Sequence, residues 1–199
     1  MRIVGGHLKG RALVAPKHAG LRPTSDRVRE SVFNIISHGG LANEDRAPPT
    51  LEGTRVIDLF AGTGALGLEA ISRGAAYCLF VETDSNARAL IRRNVEAFGL
   101  TGATRIFRRD ACDLGAAGTM APFDIAFADP PYGKGLGTKA LAALAAGGWL
   151  KPGALVVLEE RSREHIKASE DYQLIDKRTW GDTDVHFFIW QAGESAEGA

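Results

Sequence analysis

From Arg55 onward, short apolar runs alternate with amphipathic stretches. The runs are "RVIDLF", "AYCLFVE", "ATRIFRRD", "FDIAFAD" and "GALVVLEER". Each is too short for a buried helix and is bounded by Gly, Pro or acidic residues, so each reads as a buried strand. Between them, "GALGLEAISRG", "SNARALIRRNVEAFG" and "GTKALAALAAGG" carry helical spacing. Strands alternating with helices predict an α/β fold, a mainly parallel sheet covered on both faces. The rhythm then changes. "YQLIDKRTWG" and "DTDVHFFIWQ" are two strands joined by a turn at Gly181, with no helix between. They predict a C-terminal antiparallel hairpin at the sheet edge, and seven strands in all.

The N-terminal pattern is different. "RIVGGHLKGRALV" holds short β-compatible runs broken by glycines and predicts a small hairpin. "LRPTSDRVRESVFNIISHGG" predicts a helix capped by Thr24 or Ser25 and ended near Gly39, with Val28, Val32, Phe33, Ile35 and Ile36 on its apolar face. Residues 1–40 are thus a basic extension, residues 41–53 a Pro- and Gly-rich linker, residues 54–191 the catalytic domain, and residues 192–199 a disordered tail.

Charge sharpens this division. The chain has 24 basic and 24 acidic side chains. Residues 1–30 hold seven Lys/Arg against Asp26 and Glu30, which leaves 17 basic and 22 acidic residues elsewhere. A neutral total conceals a basic arm, which suits a polyanion. No apolar run reaches the roughly 18 residues of a membrane helix, and the N-terminus lacks a signal-peptide core. Cys78 and Cys112 show no metal spacing and read as reduced, buried thiols of a cytoplasmic protein. The five histidines show no metal pattern either, so no metal is expected. No interface stripe stands out, which makes a monomer the expectation.

Candidate chemistry begins in "DLFAGTGALG", where Gly62, Gly64 and Gly67 have G-x-G-x-x-G spacing between a strand and a helix. Glu82 ends the next strand. Alone, this satisfies a dinucleotide fingerprint, and a nicotinamide-dependent oxidoreductase is one reading. Asp58 argues against it, because a carboxylate beside a pyrophosphate repels it. An acid there suits S-adenosylmethionine, which carries a sulfonium and an amino group and no phosphate. Glu82 would accept from the ribose hydroxyls and Asp110, ending the third strand, from the adenine amino group. Glu69, on the first helix after this loop, reads as structural.

The second signal is "ADPPYGKG", after the fourth strand on the same edge. Adjacent prolines continue neither strand nor helix and so make a stiff loop. Such a loop suits methylation of a planar amino group. Asp129 and the Pro130 carbonyl can each accept one N–H, which leaves the nitrogen lone pair free to point at the methyl group. Tyr132 offers a stacking face for a base that has left its helix. Another amino-group methyltransferase, acting on adenine or on a glutamine amide, fits this loop equally. A non-catalytic assembly factor would be expected to lose Asp129 or Tyr132, and both are present.

"VIDLFAGTGALGLEAISRGA" and "FADPPY" resemble class I S-adenosylmethionine-dependent methyltransferases that act on amino groups. "RIVGGHLKGRAL" and "LRPTSDRVRESVFNII" more specifically resemble the RsmD family, bacterial enzymes that methylate the N2 amino group of one guanine in 16S ribosomal RNA. The resemblance implies the Rossmann-like class I methyltransferase fold. It implies cofactor contacts at Asp58, Phe60, Ala61, Gly62, Thr63, Gly64, Glu82, Thr83, Asp110 and Ala111. It implies an amino-group site at Asp129, Pro130, Pro131 and Tyr132. It further implies RNA phosphate contacts from Arg2, Lys9, Arg11, Arg22 and Arg27, and a small ribosomal subunit or its assembly intermediate as partner. The longer linker after Gly39 is where this chain departs from the family pattern.

Overall fold

The computed structural model describes residues 1–15, 26–38, 40–41 and 49–191. Arg22, the cap at Thr24 or Ser25, Gly39, most of the linker and the tail lie outside the described residues. Helix α1 spans Asp26–Ser37, and strand β1 (Arg55–Leu59) follows. Then come α2 (Ala65–Ser72), β2 (Tyr77–Val81), α3 (Ser85–Ala97), β3 (Thr104–Phe107), β4 (Phe123–Ala128) and α4 (Leu136–Ala146). The chain closes with β5 (Leu150–Arg161), β6 (Tyr172–Trp180) and β7 (Thr183–Trp190).

The seven strands form one sheet in the order β3-β2-β1-β4-β5-β7-β6. β1 to β5 run parallel, and the last two strands are antiparallel. β7 inserts between β5 and β6, so the hairpin meets the sheet through its second strand. From β1 the chain winds outward to β3, then returns to β4 on the other side of β1. That reversal makes a topological switch point beyond the carboxyl ends of β1 and β4, the position where ligands bind in such sheets.

Strand alternation divides the core. Val56, Cys78, Phe80, Ile125 and Phe127 face one side, with the apolar residues of α1, α2 and α3. Ile57, Leu59, Leu79, Val81, Ala126 and Ala128 face the other, with α4. Both faces of the central strands are covered, which is why they read as continuous apolar runs.

The N-terminal extension packs into the same core. Ile3, Leu8, Leu13, Val32, Phe33 and Ile36 belong to the sheet's first cluster, with the Phe33 and Phe127 rings 5.2 Å apart. An isolated bridge pairs Arg2 with Ala12. The arm explains α2, whose outer polar residues are buried: Glu69 accepts from the Val4 N–H, and the Ser72 hydroxyl accepts from the Leu8 N–H. A Cβ at Gly6 would lie 1.8 Å from the Ser72 carbonyl oxygen, so only glycine permits this approach.

Candidate active site

The strand register brings the site together. Leu59 pairs with Val81 on one side and Ala128 on the other, so Phe60, Glu82 and Asp129 leave the sheet side by side. Ala128 also pairs with Leu158, which puts Glu159 next to Asp129.

The glycine loop crosses this edge tightly. Phe60, Gly62 and Gly64 have φ of 57°, 55° and 79°. For a bulky residue such as Phe60 this conformation is rare and strained, and such strain concentrates where backbone shape serves a ligand. Gly67 has another reason to be glycine. A Cβ there would lie 2.4 Å from both Cys78 Sγ and Phe80 Cε1, so α2 sits directly on β2.

The acids hold the loop. Glu82 Oε2 accepts from Gly62 N at 2.8 Å, and its Oε1 from Asp84 N at 2.8 Å. Each oxygen keeps a lone pair, so the carboxylate can accept two further hydroxyl donors. Asp84 caps α3 through the Ala87 N–H. Asp58 is only 1% exposed and accepts from Gly67 N at 2.9 Å, anchoring the start of α2. Burial, opposed by that hydrogen bond and aided by the Glu82 charge, pushes its pKa up to about 8. Asp110 is exposed and accepts from Cys112 N, next to the buried Ala111. Thr63, which the resemblance implies at the cofactor, is tied to α3 and the arm: its carbonyl accepts from Asn94 Nδ2, and its hydroxyl meets Met1 Sδ at 3.5 Å. Thr83 is exposed, and its carbonyl accepts from Arg88.

The proline loop faces the glycine loop. Pro130 is buried, Pro131 exposed, and Asp129 and Tyr132 lie in between. The Tyr132 hydroxyl donates to Glu159 Oε1 at 2.6 Å and lies 3.2 Å from Thr183 Oγ1. Burial and the Glu159 carboxylate push its pKa above the ordinary tyrosine range, so it remains a donor at neutral pH. Gly133 N donates to Glu164. The loop is thus fastened to β5, β7 and the segment after β5.

This clamp escaped the sequence reading. The signal was available in "VVLEER", which carries acids near its strand's end as β1 to β4 carry Asp58, Glu82, Asp110 and Asp129 at or just past theirs. Cys112, expected buried, is partly exposed, and Cys78 is buried.

The arm's charge was overcounted. Arg29 is fully buried and held by Asp26 at 2.9 Å and Glu69 at 3.6 Å, so it offers nothing to a polyanion. Arg2, Lys9, Arg11 and Arg27 are exposed. Arg11 also donates to the Ala97 carbonyl and lies over the Phe98 ring at 4.7 Å.

Comparison with known proteins places this arrangement. A family model described as conserved hypothetical protein 95 matches residues 1–189. YlbH of Bacillus subtilis is 35% identical over 192 residues, which span 94% of this chain and 98% of that protein. The Escherichia coli K12 protein named ribosomal RNA small subunit methyltransferase D is 33% identical over 200 residues, 93% of this chain and 94% of that protein. The solved structure of Escherichia coli yhhF matches with a TM-score of 0.80 at 29% identity, over 96% of this chain and 98% of that chain. With its sheet order, its glycine loop and its whole-length match, this chain belongs to the family described as conserved hypothetical protein 95, the RsmD family of class I methyltransferases.

Proposed function

We propose that this protein transfers a methyl group from S-adenosylmethionine to the exocyclic N2 amino group of a guanine in 16S ribosomal RNA. The observation that carries this reading is the adjacency of Asp129 to the glycine loop, followed by a proline pair and a tyrosine clamped at its tip. The name of the 33% identical relative supports small-subunit ribosomal RNA as substrate.

The donor set fits this cofactor. The strained loop offers backbone at close approach, Glu82 retains acceptor capacity for a ribose diol, and Asp110 is an exposed acceptor one strand further out. A cation bound near Asp58 would lower its pKa again and favour the charged carboxylate. S-adenosylmethionine supplies an electrophilic methyl group on sulfur. Asp129 and the Pro130 carbonyl accept the two N–H groups of the target amine. An exocyclic base amine is a poor nucleophile because its lone pair is delocalised into the ring. Two in-plane acceptors hold the nitrogen with that lone pair aimed at the methyl carbon. The carbon–sulfur bond breaks as the nitrogen–carbon bond forms, in line, and Asp129 is placed to take the proton. Tyr132 stacks the displaced base. Arg2, Lys9, Arg11, Arg22 and Arg27 contact phosphates, and the protein works as a cytoplasmic monomer on the subunit or its assembly intermediate.

The test is methyl transfer from labelled S-adenosylmethionine to small subunits from cells lacking this protein, with nucleoside analysis of the product. Label in N2-methylguanosine at one position is expected. Label in another nucleoside or in protein would move the assignment to a different amine.

A further inference from the structure

A groove of about 500 Å³ lies on the sheet face opposite α1, α2 and α3. The β3–β4 connection, residues 108–122, carries no helix, so α4 is the one α-helix on this face among the described residues. Three arginines line the opening, Arg55 from β1, Arg105 from β3 and Arg109 just beyond it, together with Tyr77, Phe107 and Trp149. None of its lining residues is acidic.

The arginines are laid on the rings. Arg55 sits 4.4 Å from the Tyr77 centroid and 5.1 Å from Phe123. Arg105 lies 4.8 Å from Phe107, and Arg109 lies 5.3 Å from Phe107 and 6.0 Å from Trp149. One guanidinium over one ring is a common way to shield an exposed aromatic. Three along one concave surface that no acid lines make it positive; the carboxylate beside Arg55, Asp124, accepts its backbone N–H and is paired with Lys151. Arg55 donates to the Ala121 carbonyl at 3.3 Å and Arg109 to the Leu114 carbonyl, while the Arg105 guanidinium is exposed over Phe107. Arg55, Tyr77, Ala121 and Trp149 lie at the amino ends of β1, β2, β4 and β5, and Phe107 and Arg109 carry the groove to the carboxyl end of β3.

The geometry points to a second RNA-binding surface, separate from the arm: a groove that takes a single-stranded RNA segment, with guanidinium forks on phosphates and guanidinium planes or aromatic rings against unstacked bases. That pairing of forks and planar faces is what single-stranded RNA offers and an acidic peptide does not. The inference rests on the ribosomal RNA reading for the identity of the strand. It places two grips on opposite faces of the sheet, the groove reaching from the amino ends of β1 and β2 to the segment beyond β3.

The test uses the full chain and a mixed-sequence single-stranded RNA oligonucleotide, with affinity measured across a salt series. The variants are Arg105→Glu, Arg105→Glu with Arg109→Glu, and Thr119→Glu. The last puts negative charge at the exposed groove wall and leaves every stacked arginine in place. Each arginine variant should weaken RNA binding about tenfold and reduce the salt slope by about 0.7 for each lost phosphate contact. Thr119→Glu should weaken binding in the same direction, and S-adenosylhomocysteine affinity should not change. Unchanged RNA affinity and slope in all variants would overturn the groove, and competition by polyglutamate as effective as by RNA would overturn its specificity. Methylation of small subunits by the wild type separates the two ideas. If it persists while the variants bind RNA normally, the groove alone fails. If it is absent while the variants lose RNA binding, the substrate reading fails and the groove stands.

Discussion

Removing one oxygen, with Tyr132→Phe, separates two jobs of that side chain. The ring remains available to stack, but the hydroxyl that joins the proline loop to Glu159 and Thr183 is gone. A hydrogen bond to a charged partner contributes about 1.5–3 kcal/mol in mutational series. Tyr132 is only partly buried, so solvent screening brings this to about 1–2 kcal/mol. If the anchor holds Asp129 and the Pro130 carbonyl at the amine, that loss falls on the transition state and slows transfer by roughly 5- to 30-fold. The assay is single-turnover methyl transfer to small subunits, with S-adenosylhomocysteine affinity measured in parallel. The rate should fall and the affinity should hold, because the clamp does not touch the glycine loop. A Tyr132→Phe rate within about twofold of wild type would refute the anchoring argument and leave only stacking.

Other variants probe other parts of the site. Asp129→Ala should lower turnover by about 100-fold or more with cofactor affinity unchanged, read by the same paired assays. Glu82→Ala should mainly weaken S-adenosylhomocysteine binding by calorimetry, since it removes the acceptor that also holds the Gly62 N–H. Asp58→Asn should stabilise the protein near neutral pH by about 1 kcal/mol or more, roughly 2–4 °C in Tm. The sign follows from its pKa, raised from 3.8 to about 8 by burial. The folded state keeps a proton that the unfolded state releases, so this group's contribution declines as pH rises between those values, and the asparagine variant should lack that slope. Gly67→Ala should destabilise by about 2 kcal/mol through collision with Cys78 and Phe80, and adding Cys78→Ala should restore part of the loss in chemical denaturation.

Much of the fold was legible because its signals are local. The central strands are buried on both faces, so β1, β2 and β4 read as apolar runs without needing their partners. Gly62, Gly64 and Gly67 announce a tight turn and a close helix through the chain's own spacing. Acids at strand ends were visible as well, and for Glu82, Asp110 and Asp129 they fall on one edge. Glu159 belongs to the same pattern, yet its role depends on meeting a tyrosine 27 residues away. No periodicity carries that information. Arg29 shows the opposite error: composition counted it as surface charge, and packing turned it into a buried ion pair with Glu69.

What the sequence by itself determined was the succession of elements, the stiffness of the proline loop and the kind of chemistry its residues suit, because each is encoded within a few neighbouring positions. Only the tertiary structure decided that β7 enters between β5 and β6, that the arm seals the outer face of α2, that Tyr132 is clamped from two strands, and that three arginines from separate segments share one groove. Those outcomes depend on strand register and on which apolar faces meet, contacts between residues far apart in the chain that are chosen by the free energy of the whole fold.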